Sequence, residues 1–189
     1  MPPRIPAPWL DFLREVDHAL GRSIEVHCLG GFVLGVLHEL PRPTGDVDCV
    51  EIAPSEAGEE LLLIAGEGSE IAGRYSLQFH RVTIAEYPEG YASRLVDLTP
   101  RSFKHLRLRA FEVHDLVLAK LGRNSPRDRA DVEFLVRRGV IDRRVLENRF
   151  EAELRPYVLN EERHVAALRL WLDEFFAPKG GSTYRKTRR

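Results

Sequence analysis

Asp46 and Asp48 stand one residue apart in the run Asp46-Val47-Asp48-Cys49-Val50-Glu51-Ile52, whose apolar positions Val47, Cys49 and Ile52 mark a strand. On a strand, two carboxylates at i and i+2 project from one side about 6.5–7 Å apart at the backbone, where they can share a hard divalent cation such as Mg2+. The pair alone says little, because two solvated acids at an exposed strand end read the same way. Its weight comes from Gly30-Gly31, which ends the apolar run Ile24, Val26, Cys28, Leu29 and opens a helical stretch. Bare backbone N–H groups at a helix start, with the positive end of the helix dipole, suit a phosphate chain. Strand, Gly-Gly, helix, loop, strand with two acids is thus a unit able to hold a metal ion and a phosphate together.

The elements that must position this unit follow from periodicity. Leu10, Leu13, Val16 and Leu20 recur at helical spacing and predict a helix from Pro8 to Leu20. The strand Ile24–Leu29, a helix from Phe32 to Leu40 and the strand Asp46–Ile52 come next. Ser55 then reads as the N-cap of a segment running on to Ala72, with Gly66, Gly68 and Gly73 leaving its second half open. Tyr75–Tyr87, a short strand around Val96, and Leu106–Phe111 complete a sheet of four or five strands. The last third is helical: Val113–Leu121, Pro126–Arg138, Asp142–Leu154 and Asn160–Phe176. Ser125-Pro126 with Asp128 three residues on from the serine reads as a helix start with a capping box. The expected fold class is α+β, a mixed sheet with flanking helices and a C-terminal helical part. Residues 1–111 form the core, 112–177 the helical part packed on it and completing the site, and 178–189 a basic flexible tail.

Composition bounds the function. With 189 residues, 43% hydrophobic and 30% charged, the chain is of ordinary globular type and long enough for a self-standing enzyme. A net charge of -1 argues against a surface that is a nucleic-acid platform throughout, leaving room only for a confined patch. Lys104, Lys120, Lys179 and Lys186 are the only lysines among 28 basic residues, which makes Lys120, in a folded apolar run, conspicuous. No apolar run of membrane-spanning length and no signal-like N-terminus appears, so the expectation is a cytoplasmic protein with no membrane partner. Cys28 and Cys49, without a CxxC or histidine partner at ligand spacing, read as buried thiols. The histidines show no HExxH or HxxxH spacing, and no GxSxG, P-loop or dinucleotide fingerprint occurs.

Leu29-Gly30-Gly31-Phe32 followed by Arg42-Pro43-Thr44-Gly45-Asp46-Val47-Asp48 resembles the hG[GS]…[DE]h[DE] pattern of the polymerase-β-type nucleotidyltransferase superfamily. Arg-x-Thr-x-Asp-x-Asp is similar to small bacterial proteins related to the AbiEii-type toxins of toxin-antitoxin systems. Asp115-Leu116-Val117-Leu118-Ala119-Lys120-Leu121 and Arg127-Asp128-Arg129-Ala130-Asp131-Val132 resemble the downstream lysine and aspartate motifs of those proteins, so the likeness spans roughly residues 24–139. The resemblance implies Mg2+-dependent transfer of a nucleotidyl group from an NTP to an RNA (tRNA) or protein acceptor, with an antitoxin as a further partner. Carried over, Asp46 and Asp48 ligate metal, Gly30 and Gly31 hold phosphate, Lys120 contacts the triphosphate and Asp131 orients or activates nearby. Arg42 and Thr44 line the same pocket.

Each position also has a plainer reading. Lys120 can snorkel to solvent, Asp131 can pair with Arg127 across one helical turn, and Asp128 is better read as a cap than as a catalyst. His114, beside Asp115, reads as capping. One departure is specific: many superfamily members carry a third metal-binding carboxylate on a later central strand, whereas Phe79-His80-Arg81-Val82-Thr83-Ile84-Ala85 has no acid and Glu86 falls at the strand end. Either two acids plus Asp131 suffice, or the chain is a catalytically inactive nucleotide-binding or protein-interaction module of the same fold. A small RNA-binding protein using the arginine-rich helices and tail is a third reading.

Overall fold

A computed structural model describes residues 4–176, so the basic tail at 178–189 lies outside the described residues. Helix α1 (Trp9–Ala19) precedes β1 (Ile24–Leu29), α2 (Gly30–His38), β2 (Asp46–Ala53), α3 (Ala57–Ala65), α4 (Glu70–Tyr75) and β3 (Gln78–Arg81). A 3-10 turn (Glu89–Arg94) leads to β4 (Val96–Asp97) and β5 (Leu106–Ala110). The helical remainder is α5 (Val113–Leu118), α6 (Pro126–Arg137), α7 (Arg143–Arg149), continued as a π-helical turn at Phe150–Leu154, and α8 (Glu161–Phe175).

The five strands lie in the order β3-β2-β1-β5-β4. β1 pairs antiparallel with β2 and parallel with β5, while β2 pairs parallel with β3 and β4 antiparallel with β5. This is the mixed sheet with flanking helices that the hydrophobic pattern predicts. The β1/β2 register steps between His27 and Cys28, with Cys28 opposite Cys49 and His27 opposite Glu51, which leaves Val50 as the extra residue of a β-bulge. The bulge lets two apolar sets, Val47 with Cys49 and then Ile52, both face the core despite their odd spacing. Their opposite faces carry Asp46, Asp48 and Glu51 outward.

One apolar core runs from Phe12 and Leu13 of α1 through Val26, Val47 and Phe79 of the sheet to Leu116, Val132, Phe150 and Trp171 of the helical part. Phe12 meets Phe79 at 5.9 Å between centroids and Trp9 meets Phe32 at 4.9 Å, fixing α1 over the sheet and α2. Trp171 is fully buried and its indole N–H donates to Asn124 Oδ1 at 2.9 Å. Cys28 and Cys49 are buried free thiols as expected; burial pushes Cys49 up to about 12. Among the described residues no helix is long and apolar enough to cross a membrane.

Several boundaries differ from the pattern. Ser55 does not cap α3, whose N-cap position is Glu56 and carries no side-chain cap. The segment breaks at Gly66 and restarts at α4, where Ser69 accepts from Ala72 N–H. A Cβ at Gly66 would run into the Leu62 carbonyl. Of Tyr75–Tyr87 only Gln78–Arg81 is strand, because its partner β2 departs at the Val50 bulge; Val82 N–H donates to Cys49 O at 2.8 Å and the chain then leaves the sheet. Helix α2 starts two residues early, at Gly30 itself. Helix α6 begins as read, with Ser125 and Asp128 forming a reciprocal capping box.

Candidate functional site

Gly30 has φ of 77°, a left-handed conformation that glycine adopts without the cost a side chain brings. It is also jammed against its neighbour: a Cβ here would press into the Asp48 carboxylate, 3.2 Å from Cγ. Leu29 pairs with Asp48 across the β1/β2 ladder, so the sheet register delivers the acid to the turn that opens α2. A Cβ on Gly31 would lie 3.0 Å from Thr44 Oγ1 and 3.2 Å from Arg42 Nη1. The two glycines therefore meet the two halves of the Arg42–Asp48 run.

Behind them the turn after α5 and the helix α6 contribute a charged cluster. Arg42 donates to both oxygens of Asp131, at 2.8 and 2.7 Å, in a bidentate pair. Lys120 Nζ donates to Asp131 Oδ2 at 2.9 Å and Asp128 Oδ1 at 3.1 Å. Arg123 Nε donates to Asp128 Oδ2 at 2.7 Å. Lys120 does not snorkel: it is 5% exposed. Asp131 turns to Arg42 and Lys120 rather than to Arg127, and Asp128 combines its capping role with an ion pair. Burial alone would raise the Asp131 carboxyl, but the Arg42 hydrogen bonds and the Lys120 charge outweigh it and hold it below the usual value; Asp128 is lowered likewise by Arg123, Lys120 and Ser125. Arg42, Lys120 and Arg123 face two carboxylates, an excess of one positive charge.

A cleft of about 430 Å³ joins the two groups; Gly30, Asp48 and His80 line one side, and Lys120 and Arg123 the other. Asp46 sits apart from it. Asp46 lines a neighbouring shallow depression with Ser69 and Gln78, and its Oδ1 accepts from Gln78 Nε2 at 3.0 Å. Arg42, Thr44 and Asp131 lie behind the cleft wall rather than on it.

Sequence reasoning passed over His80. It sits beside Asp48 in the β2/β3 register, and its Nδ1 lies 2.9 Å from Asp48 Oδ1. A carboxylate only accepts, so Nδ1 donates and, in the neutral ring, Nε2 is left as an acceptor. The period-two match of Gln78 and His80 to Asp46 and Asp48 was readable only with strand pairing in hand. Opposite Asp46 and Asp48, β3 thus sets an amide and an imidazole, and it carries no acid of its own.

Among the described residues no group of three or more His, Cys, Asp or Glu side chains is placed to cage a metal ion. Mg2+ does not require one, since it keeps several waters and takes one or two carboxylates plus substrate phosphate oxygens. The hydrogen bonds to Asp46 and Asp48 each use Oδ1, leaving the second oxygen for a cation that arrives with a phosphate chain. The donor set suits such a cation and does not suit a tight, all-protein site.

No curated protein and no solved structure matches the chain. A family model described as nucleotidyltransferase of unknown function (DUF6036) matches residues 13–177, and the chain belongs to that family.

Proposed function

We propose that the chain binds an NTP with Mg2+ and transfers its nucleotidyl group to an acceptor hydroxyl on RNA, tRNA included, or on protein, in the manner of AbiEii-type toxins. The observation that carries this reading is the single cleft that brings Gly30 and Asp48 opposite Lys120 and Arg123. Asp48, on the cleft wall, would hold the cation, and Asp46, beside the cleft on the same strand face, would turn its free oxygen toward it; the cation's charge offsets that of the triphosphate as it is attacked. Gly30 presents backbone to the phosphates, Gly31 being buried behind it against Thr44 and Arg42, and Lys120, held rigid by two carboxylates, faces them as a fixed positive charge. The acceptor oxygen bonds to the α-phosphorus as the bond to the bridging oxygen breaks. Pyrophosphate leaves with that electron pair, and the acceptor's proton passes to His80 Nε2, oriented by Asp48. Arg42 and Asp131 act behind the wall, positioning Lys120.

Calorimetric titration with Mg-NTPs, run beside transfer of α-labelled nucleotide to total RNA and protein, tests this. Binding that depends on Mg2+ and is lost in Asp48→Asn is expected. Magnesium-independent binding, or unaltered binding by that variant, removes the metal site. The second reading, a module that binds nucleotide without transferring it, is favoured by β3 setting Gln78 and His80, and no acid, opposite Asp46 and Asp48; it predicts binding and no label in any acceptor. A toxin role predicts growth arrest on expression that Asp48→Asn relieves and a co-expressed antitoxin suppresses.

A further inference from the structure

Lys120, Arg123 and Arg163 line the cleft, and they differ in what already holds them. Lys120 is shared by Asp128 and Asp131, and Arg123 is paired with Asp128. Arg163, exposed on the first turn of α8, has no carboxylate at ion-pair distance among the described residues. The acids around it are engaged elsewhere or point elsewhere. Glu161 pairs with Arg155, and Glu162 is not on the cleft wall. Glu86, which with Asp48 makes up the acids of the cleft among the described residues, is held beneath Gly122 by the Leu159 N–H at 2.8 Å and by His164 Nε2 at 3.0 Å. Arg163 therefore brings its full charge to a wall that already carries one positive charge in excess.

Helix α8 fixes this guanidinium in place. Asn160 Oδ1 accepts from the Arg163 N–H at 3.0 Å as the N-cap, and the next residue, His164, is 1% exposed. Further along, Trp171 donates to Asn124, while Arg163 Nη2 donates to the Arg123 carbonyl oxygen at 3.5 Å, so the helix grips the turn before α6 at two neighbouring residues. The contacts also have an order. Arg42, beside Gly31, joins Asp131; Asp131 joins Lys120; Lys120 joins Asp128; Asp128 joins Arg123; and Arg123 meets Arg163. Arg163 is the last cation on that path counted from the glycine turn. With the α-phosphate held at Gly30 and Asp48, the end of the path is where the last phosphate of a triphosphate falls. A terminal phosphate has the extra charge and the free oxygens that a guanidinium fork takes up with two parallel N–H donors.

We infer that Arg163 binds the terminal phosphate of the nucleotide and so selects a nucleoside triphosphate over a diphosphate. The assignment rests on the nucleotide reading of the same cleft and adds to it a residue of the helical part that the motifs near the glycine and acid pairs do not include.

Titrations of the full chain in the presence of Mg2+ compare each of the four NTPs with its NDP, tripolyphosphate serving as the base-free probe. Arg163→Gln is expected to lower triphosphate affinity about tenfold or more and to leave diphosphate affinity within about twofold, with the melting temperature of the wild type. Arg169→Gln, which removes the same charge from an exposed position of α8 off the cleft, is expected to leave both affinities unchanged. Unaltered triphosphate affinity in Arg163→Gln, or an equal loss in Arg169→Gln, overturns the assignment while the nucleotide site stands. Unaltered triphosphate affinity together with lost transfer of label moves the guanidinium to the acceptor and overturns it as well. A wild type that binds neither an NTP nor tripolyphosphate removes the nucleotide site, and the assignment falls with it.

Discussion

At the scale of single residues, the site depends on atoms that are absent as much as on those present. Gly30 takes a positive φ and lies against Asp48, so Gly30→Ala meets two penalties together, backbone strain of about 1 kcal/mol or more and displacement of the carboxylate. The expected outcome is a folded protein, melting a few degrees lower, whose Mg-NTP affinity falls by at least tenfold; wild-type affinity in that variant would detach Gly30 from the site. His80→Gln separates chemistry from binding. Glutamine can still donate to Asp48 but offers no imidazole base, so nucleotide affinity should hold while labelled transfer drops by about 10²-fold or more. The glycine pair and the acid pair were legible because their types are chemically restrictive and their spacing short. His80 was not, because it gains meaning only from a partner 32 positions away that strand register supplies.

At the scale of elements, the cationic wall depends on how α6 begins. Ser125 Oγ accepts from Asp128 N–H at 3.2 Å and donates to Asp128 Oδ2 at 2.7 Å, so one hydroxyl both starts the helix and fixes the carboxylate that holds Lys120. Ser125→Ala is expected to cost about 1–2 kcal/mol in chemical denaturation and also to weaken tripolyphosphate binding, an effect that a cap without further duty would not produce. Lys120→Met leaves Asp128 and Asp131 buried with only Arg123 and Arg42 to compensate them; a loss of about 3–5 kcal/mol is the scale for a broken buried pair. A smaller loss would mean that the two arginines suffice. The serine, proline and acid that start α6 have strong local preferences and were readable. The split of residues 55–72 into α3 and α4 was only half readable: three glycines marked a weak second half, but which of them ends α3 is set by the extended backbone at Gly66.

For the whole molecule, carboxylates pin the helical part to the sheet. Asp115, fully buried at the start of α5, accepts from Arg94 Nε at 2.9 Å and Nη2 at 3.0 Å, and from Arg149 Nη1 at 3.1 Å. Arg94 continues to Glu153 at 2.7 Å, and Arg149 also pairs with Glu112. On the sheet side, Asp17 accepts from the backbone N–H groups of Lys104, His105 and Leu106, joining α1 to the start of β5. Burial acts to raise the Glu112 carboxyl, but His114 and Arg149 overcome it and bring it down from 4.5 to about 2. Asp17, Asp128 and Asp131 are lowered too. A carboxyl whose folded value lies below its unfolded one contributes stability in full above the unfolded value and loses it as pH falls toward the folded one. The protein should therefore melt at a nearly constant temperature as pH falls to about 5 and lose stability steeply from about pH 4.5 down to about 2. Glu112→Gln should take away on the order of 2 kcal/mol at neutral pH and shrink the difference from wild type as the solution is acidified, because protonation removes the same charge. A difference that stays constant down to pH 2 would show that the contribution of Glu112 is packing rather than charge.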